Sequence, residues 1–368
     1  GVGNFMAVKT DDIYPKTASG HIEFQGMMRP PVITGLDAPE GMDPNAGSCT
    51  LTSGTVVNNG ASITMYNTEN NANCAANSLS RACANGTLGG DPAYQYESCE
   101  ATKYTHLGGK YDHICGVTTN STIKCWGNST SGKTTAPAGN NYSKVYASYE
   151  HSCALKNDGT VVCWGATTYG KTTPPGGAVY TKMSNGGFHS CGLKSTGAIE
   201  CWGSNTQGQI TVPSGTYKEV AAGSLITCAI RTAGTLVCWG HMVYGSTFTG
   251  PYPSGSDFVQ ISMGDDHACA LRSNGQIACF GSNTYGQGTV PSGTYSQVSA
   301  GVWHTCALKT DGSLACWGTN PNYSGQVNPP AGNNFTQVEG GAYQHCALRS
   351  DNTAVCWGRN NQGQLDIP

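Results

Sequence analysis

Short segments of alternating apolar and polar residues recur along residues 103–368, and they predict strands rather than helices. In the second repeat, residues 142–148 place Tyr and Val on alternate sides of a strand, and residues 151–156 and 160–165 are two further strand-like segments. Asn157-Asp158-Gly159 supplies turn chemistry between the last two. Because no segment keeps a helical period long enough for the second layer of a solenoid, each unit is predicted to be a small antiparallel sheet.

Cysteine pairs with nine residues between their members mark seven copies of this unit, which begin 37 to 41 residues apart. This period is typical of solenoids and propellers, and short strands with Gly- and Pro-rich connectors favour a seven-bladed β-propeller. If Asn157-Asp158-Gly159 is the hairpin loop, Cys153 lies opposite Cys163, close enough for a disulfide. We therefore predict one hairpin disulfide in each blade, formed by the pairs Cys115–Cys125, Cys153–Cys163, Cys191–Cys201, Cys228–Cys238, Cys269–Cys279, Cys306–Cys316 and Cys346–Cys356.

The predicted fold class is all-β, with a disulfide-stapled propeller preceded by two other segments. These are an extended N-terminal arm over residues 1–47 and a small cysteine-rich β module over residues 48–102. The propeller repeats are predicted at about 103–139, 140–177, 178–215, 216–255, 256–293, 294–332 and 333–368.

The segments before the propeller have few apolar residues of their own to bury. The module has four cysteines, which suggest a stapled β unit whose three possible connectivities stay open: Cys49, Cys74, Cys83 and Cys99. The arm has several prolines and no cysteine, so we expect its own propeller or a neighbouring subunit to hold it in place.

The recurring segments G-x-x-H-x-C-A-L, D-G, C-W-G-x-N and Y-G-Q resemble the repeat of the regulator of chromosome condensation family, in a short, cysteine-rich, bacterial-style version. This resemblance covers residues 103–368 and implies a seven-bladed propeller. The family includes a nucleotide exchange factor, a plant ultraviolet photoreceptor and a secreted β-lactamase inhibitor, so the resemblance transfers no single function. The secreted inhibitor is the nearest analogue in compartment and repeat length, and it presents a propeller face to a protein.

Composition indicates the compartment more than the activity. Eighteen cysteines, fourteen of them in the repeats, favour an oxidising environment, so we expect an extracellular or cell-surface protein. Only 11% of residues are charged and the net charge is −3, which argues against nucleic acid as a partner. No apolar run is long enough for a membrane span. The chain begins with Gly, from which we expect a removed signal peptide or a trimmed sequence.

One repeat position carries histidine in five blades, which raises the question of a metal site. Equivalent positions of a seven-fold ring lie too far apart to share one ion, and no typical metal-ligand spacing occurs. We expect each imidazole to hydrogen-bond a neighbouring turn, and we predict no metal, cofactor or catalytic residue. The five histidines are His113, His151, His189, His267 and His304.

The two residues before this position differ in every blade, whereas the flanking strands barely change. All seven pairs are predicted to lie between the first and second strands, and so on one propeller face. Rigid scaffolds that carry varied aromatic and acidic loops are typical of binding faces. The binding-face candidates are Tyr111, Asp112, Tyr149, Glu150, Phe188, Leu225, Asp265, Asp266, Trp303 and Tyr343.

Three functional hypotheses follow from the sequence. The leading one is a non-enzymatic structural or adhesive surface protein, such as the subunit of an extracellular filament. Its arm and cysteine module would make the assembly contacts, and its propeller would face outward. The second is a soluble secreted propeller that binds a protein or a glycan, in the manner of an inhibitor or a lectin. The third is a polysaccharide-active enzyme that uses Asp265 or Glu150.

Overall fold

Seven three-stranded antiparallel sheets follow one another along the chain, each built from three consecutive strands. The computed structural model describes residues 49–50, 56–57, 62–66, 78–84, 87–88, 101–241, 252–318 and 325–368. The blade strands are β6 (Tyr104–Lys110), β7 (His113–Thr118) and β8 (Ile123–Gly127); β9 (Tyr142–Ala147), β10 (His151–Lys156) and β11 (Val161–Gly165); β12 (Lys182–Asn185), β13 (His189–Leu193) and β14 (Ile199–Gly203); β15 (Tyr217–Ala222), β16 (Ile226–Arg231) and β17 (Leu236–Gly240); β18 (Phe258–Met263), β19 (His267–Arg272) and β20 (Ile277–Gly281); β21 (Tyr295–Ala300), β22 (Thr305–Lys309) and β23 (Leu314–Trp317); β24 (Phe335–Gly340), β25 (Gln344–Arg349) and β26 (Ala354–Gly358).

Before the blades, short strands form a separate unit. They are β1 (Cys49–Thr50), β2 (Val56–Val57), β3 (Ser62–Tyr66), β4 (Ser78–Ala84) and β5 (Thr87–Leu88), with β1 pairing β2 and β4 lying between β3 and β5. The predicted arm and the pairing of the module's four cysteines lie outside the described residues.

The hairpin between the second and third strands of each blade has the predicted register. Cys153 lies opposite Cys163 with their Cα atoms 4.0 Å apart, and the two form a disulfide. The turn requires Gly159, whose φ is +80° and where an added Cβ would lie 2.5 Å from a methyl of Val179. All seven predicted hairpin disulfides are present. Each closes a loop of about ten residues, which on the chain-entropy model contributes about 2.5 kcal/mol.

The hydrophobic core lies between blades. Cys153 and Leu155 of the second blade pack against Tyr180 and Met183 of the third, and this pattern recurs around the ring. Between the last and first blades, Leu348 belongs to the same buried cluster as Tyr104 and Trp126. The seven sheets therefore form a closed propeller in which both faces of a blade are buried by its neighbours.

In six blades a tryptophan follows the second cysteine and joins its blade to the preceding one, whereas the fifth blade carries Phe280 at this position. The indole N–H of Trp164 donates to the carbonyl of Lys133 at 2.8 Å, and that of Trp202 donates to the carbonyl of Lys171 at 3.0 Å. The first blade completes the series, because Trp126 donates to the carbonyl of Gln364 at 3.0 Å. These side chains therefore serve the joints between blades.

Each of the five repeated histidines joins its blade to the following one. Nε2 of His151 lies 2.8 Å from the hydroxyl of Ser190, and the other four occupy equivalent sites. All five imidazoles are fully buried. The prediction that each imidazole bonds a neighbouring turn is wrong in detail. The partner is a side chain on the second strand of the next blade, and in one case it is Thr305, the first residue of that strand. Burial lowers the pKa of His113, His151 and His189 to about 3, so these rings are neutral.

The helical segments of the described chain are two 3₁₀ turns, Thr130–Gly132 and Thr168–Gly170. Among the described residues, no helix has the length and apolar character needed to cross a membrane.

Candidate functional site

One face of the propeller carries two sets of loops. The first set joins the first and second strands, and the second set follows the third strand. Both sets emerge on the same face because β10 and β11 are antiparallel, with His151 at the start of one opposite Gly165 at the end of the other. We call this the loop face, and we call the opposite side, which carries the hairpins, the hairpin face.

The structure places all ten binding-face candidates on the loop face. In each blade the residue directly before the repeated histidine position is partly exposed. The residue one step earlier is buried in four blades, where it is Gly187, Ser224, Val302 or Ala342. In the other three blades this earlier position carries Tyr111, Tyr149 and Asp265 and is at least partly exposed. The variable pairs therefore contribute unequally to the surface.

A first aromatic arc runs across three consecutive blades. The ring centroid of Tyr149 lies 4.5 Å from that of Tyr111 and 6.2 Å from that of Phe188. Tyr169 extends the arc, with its centroid 6.4 Å from that of Phe188. Tyr149 and Tyr169 expose 40% and 64% of their surface, so the arc has an accessible outer edge.

A second aromatic arc lies on the last three blades. Trp303 is its centre, with ring centroids 5.8 Å from Tyr285 and 5.5 Å from Tyr343. The guanidinium of Arg359 lies 5.3 Å from the centroid of the Tyr343 ring. Tyr, Trp and Arg are the residues most enriched at protein-binding hot spots.

Two of the candidate acids bind buried lysines within the fold. Asp112 accepts a hydrogen bond from Lys133 at 2.7 Å, and Glu150 accepts one from Lys171 at 2.7 Å. Both lysine side chains are almost completely buried, whereas both carboxylates are about one-third exposed. These acids therefore neutralise charges beneath the loop face, and only part of each is presented to solvent.

Asp265 makes a contact across the ring. The hydroxyl of Tyr111, on the first blade, donates to both Asp265 oxygens, at 2.7 and 2.8 Å, on the fifth blade. Burial raises the pKa of Asp265 although the Tyr111 hydroxyl lowers it, and burial together with Asp265 raises the pKa of Tyr111. The neighbouring Asp266 has one oxygen 3.7 Å from Nδ1 of buried His267.

The side chain of Lys110, the residue before Tyr111, also reaches across the ring. Its ammonium donates at 2.6 Å to the carbonyl of Ala222 on the fourth blade. Lys110 and Tyr111 thus bridge the centre of the loop face. The remaining candidate, Leu225, lies partly exposed on the fourth blade.

Four residues of this surface escaped the sequence analysis. Tyr169 and Tyr285 occupy the first position of the Y-G-Q segment, and Lys133 and Lys171 replace its last residue in the first two blades. An alignment of the repeats contains the signal. In those two blades lysine occurs together with an acid before the histidine. Glutamine accompanies Phe188, Trp303 and Tyr343, and it also accompanies Asp266 in the fifth blade.

The polar interior of the ring also escaped the sequence analysis. The first strands of the seven blades surround a central cavity of about 240 Å³. Its charged lining residues come from five different blades and are Lys110, Lys144, Lys182, Glu219 and Glu339.

One cluster of metal-ligand residue types lies among the described residues. His304, Cys306 and His345 approach one another, but Cys306 is in a disulfide with Cys316. Nε2 of His304 lies 2.8 Å from Nδ1 of His345. These two nitrogens share a hydrogen bond. This group therefore serves the joint between the sixth and seventh blades.

Comparison with known proteins identifies the repeat. The family model for the regulator of chromosome condensation (RCC1) repeat matches residues 142–171, 180–209, 217–246, 258–287, 295–326 and 335–364. A search of curated proteins gave no match.

Solved structures share the fold at low sequence identity. The ectodomain of the Physcomitrella patens receptor kinase CR4 is 24% identical, with a TM-score of 0.58 over 70% of this chain and 74% of that one. The CRINKLY ectodomain of the Arabidopsis thaliana receptor kinase ACR4 is 22% identical, with a TM-score of 0.58 over 73% and 100%. Yeast RCC1 (Prp20), solved with Kap60, is 14% identical, with a TM-score of 0.53 over 68% and 79%.

Six matched repeats, the seven described blades and the shared propeller fold agree with the segments that recur in the sequence. This chain therefore belongs to the regulator of chromosome condensation (RCC1) repeat family.

Proposed function

We propose that the propeller is an extracellular, non-catalytic binding domain that engages a protein partner through its loop face. The single observation that carries this proposal is the pair of aromatic arcs, one on the first three blades and one on the last three. Their residues stand on loops of a ring whose every blade is closed by a disulfide. A rigid scaffold lowers the entropic cost of presenting such side chains to a partner.

The chemistry of the arcs favours a protein over other partners. Tyr, Trp and Arg supply large contact areas with few rotatable bonds, and they dominate protein-binding hot spots. The partly exposed carboxylates of Asp112, Glu150 and Asp266 add hydrogen-bond acceptors around the arcs. A partner with a basic or amide-rich rim would complement this face.

Disulfides and relatives support the extracellular assignment. Hairpin disulfides in all seven blades are stable in an oxidising compartment and rare in a reducing one. The two receptor-kinase structures with this fold are themselves ectodomains.

Site-specific photo-cross-linking tests the proposal. A photoreactive residue placed at Tyr149 or Tyr343 should capture the same partner from the native extracellular material. Val179 is the matched control, because it is 54% exposed and lies beside the Gly159 turn on the hairpin face. Capture at Val179 but not at the two arc positions would refute the proposal, and capture of glycan rather than protein would favour the lectin-like alternative.

The finer hypothesis of a structural or adhesive filament depends on residues 1–47, which are outside the described residues. It keeps its own test, which is electron microscopy of the native material beside a variant that lacks residues 1–47. Filaments that disappear with the arm would support it, whereas single particles in both samples would refute it.

The enzymatic hypothesis receives less support from the geometry. Glu150 and Asp265 belong to different blades, and each carboxylate is bound by a side chain of the fold, Lys171 and Tyr111 respectively. Loss of a measured activity in an Asp265→Asn variant that folds normally would revive it.

A further inference from the structure

The lining of the central cavity departs from the repeat in an asymmetric way. Two positions after the aromatic residue that opens the inner segment of each blade, blades five to seven carry glutamine, of which Gln260 lines the cavity. The first four blades carry ionisable side chains instead. In blade order the seven residues are His106, Lys144, Lys182, Glu219, Gln260, Gln297 and Gln337.

The glutamines have a structural role that explains their presence. The side-chain oxygen of Gln260 accepts a hydrogen bond from the backbone N–H of Val298 on the next blade at 2.9 Å. Gln297 accepts one from Val338 at 2.9 Å in the same way. Glutamine at this position therefore clamps the inner strands of adjacent blades together.

The first four blades replace this clamp with other chemistry. Lys182 pairs with Glu219 at 2.5 Å, and Nδ1 of His106 accepts a weak hydrogen bond from Val145 at 3.4 Å. The side-chain ammonium of Lys144 makes no hydrogen bond or ion pair among the described residues, although Lys144 lines the cavity. The ammonium of Lys144 therefore has no role in joining the blades and is available to bind a ligand in the cavity.

One end of the cavity is closed. Lys110 reaches the carbonyl of Ala222, and Tyr111 reaches Asp265, so both bridges cross the ring at the loop face. Towards the hairpin face the lining opens, since Lys182 exposes 43% of its side chain. A ligand would therefore enter from the side opposite to the aromatic arcs.

The charges of the lining favour an anion. Lys144 and Lys110 line the cavity with no ion-pair partner among the described residues, and Lys182 and Glu219 neutralise each other. Glu339 is the remaining carboxyl group, and burial raises its pKa to about 7. Burial lowers the pKa of Lys110 to about 8, while Asp265 raises it. At or below neutral pH the cavity therefore carries net positive charge.

We propose that the central cavity binds one small anion carrying a carboxylate or a phosphate, with Lys144 as its principal ligand. The volume of about 240 Å³ lies below the roughly 300–1,000 Å³ of drug-sized pockets. It therefore limits the ligand to a small molecule. Hydrogen bonds between an ammonium and an anionic oxygen are among the strongest in proteins.

Isothermal titration of the full chain with succinate and with inorganic phosphate tests this site and distinguishes the two ligand chemistries. Succinamide, the neutral analogue, is the ligand control. We expect one site per chain for at least one anion and no binding of succinamide. Lys144→Gln should weaken binding about tenfold or more, because a charge-assisted hydrogen bond is lost.

Glutamine is the residue that three other blades carry at this position, so Lys144→Gln should fold, and a thermal melt verifies it. Lys218→Gln is the matched control, because Lys218 is the exposed neighbour of Glu219 on the same strand and faces away from the cavity. Equal affinities of the two variants would overturn the proposal. So would an absence of binding of both anions to the unaltered chain, or binding of succinamide as tightly as succinate.

A pH series adds an independent criterion. The titratable groups facing the cavity are His106, Lys110, Lys144, Tyr146, Lys182, Glu219 and Glu339. Between pH 6 and pH 8.5 Glu339 gains negative charge and Lys110 loses positive charge. Binding of succinate, whose carboxylates are already largely ionised at pH 6, should therefore weaken, whereas phosphate gains charge of its own over this range and is left out of the series. Stronger binding of succinate at pH 8.5 would contradict the site. Cross-linking at Tyr149 is independent of this cavity, so failure of one proposal leaves the other standing.

Discussion

At the scale of single residues, a buried charge in this propeller depends on a counter-ion. Lys171 is completely buried, and the carboxylate of Glu150 is its counter-ion. In the third blade the equivalent positions carry Gln209 and Phe188, which need no counter-ion. A buried ammonium without its carboxylate would be costly, because its hydration is lost without replacement.

Glu150→Gln should therefore lower the free energy of unfolding by about 1–3 kcal/mol, less than for a fully buried pair because Glu150 is partly exposed. Urea denaturation with the disulfides intact measures the change. The double variant Glu150→Phe with Lys171→Gln copies the third blade and should recover part of the loss. A double variant less stable than Glu150→Gln would contradict this account.

Glu339 provides a second prediction for one residue. Its carboxyl accepts hydrogen bonds from the amides of Gln297 and Gln337, both at 3.2 Å. Its pKa is about 7 in the fold and near 4.5 when unfolded, so ionisation costs stability as the pH rises from 4.5 through 7. Glu339→Gln should stabilise the protein at pH 8 and leave it unchanged near pH 4. Thermal melts at the two values measure this, and an equal effect at both would contradict it.

At the scale of elements, each second strand begins at a joint with the next blade. His189 of β13 shares a hydrogen bond with Thr227 of β16 at 2.7 Å. Because the imidazole is neutral in the fold and protonates readily in the unfolded chain, acid should break these joints. The contribution of the neutral imidazole to the free energy of unfolding is fully present above pH 6.5 and is lost as the pH falls towards 3.

His189→Gln tests the acid sensitivity of this joint. Glutamine is the residue of the seventh blade at this position, Gln344. The slope of unfolding free energy against pH between 6.5 and 4 should decrease by about one proton in the variant. Denaturant titrations at several pH values measure the slope, and an unchanged slope would show that His189 is not protonated on unfolding.

At the scale of the whole molecule, the contacts between the last and the first blade close the ring. Gln337 of the last blade accepts from the N–H of Leu107 and donates to its carbonyl, both at 2.9 Å. These residues are 230 positions apart. The clamp therefore links the two ends of the propeller, where no covalent connection exists between neighbouring blades.

Gln337→Ala should cost about 1–3 kcal/mol, because it removes two hydrogen bonds to Leu107 and one to Glu339. Gln297→Ala, which also loses a hydrogen bond to Glu339, is its matched control within the ring. Hydrogen exchange should distinguish the two variants. In Gln337→Ala, amides of β6 and β24 should lose protection well before the other blades, because local opening separates the terminal blades. Uniform loss of protection in both variants would contradict this role for the closing joint.

Much of the fold could be predicted from the sequence because its determinants are local. The distance between Cys153 and Cys163 around one turn fixes the hairpin register, and the recurrence of that spacing fixes the number of blades. The partner of His151 could not be predicted in this way, because it lies on another blade, 39 residues away.

The candidate site was less predictable for the same reason. The variable residues before the histidines could be placed on one face, but their role in binding stays a prediction. The contact of Tyr111 with Asp265 and the convergence of Lys144 with Glu339 depend on ring closure. Such pairs have no spacing that marks them in the chain, whereas an alignment of the repeats could have revealed the Glu150–Lys171 pair.

The tryptophan joints have a consequence for how such a protein diversifies. Each indole recognises a backbone carbonyl, a group that every residue possesses, so the receiving position tolerates Lys133, Gln209 or Gln326 alike. Neighbouring blades consequently need not coevolve at this contact. A duplicated or exchanged blade would arrive with its half of the joint already compatible, and its surface loops would be free to acquire a new specificity.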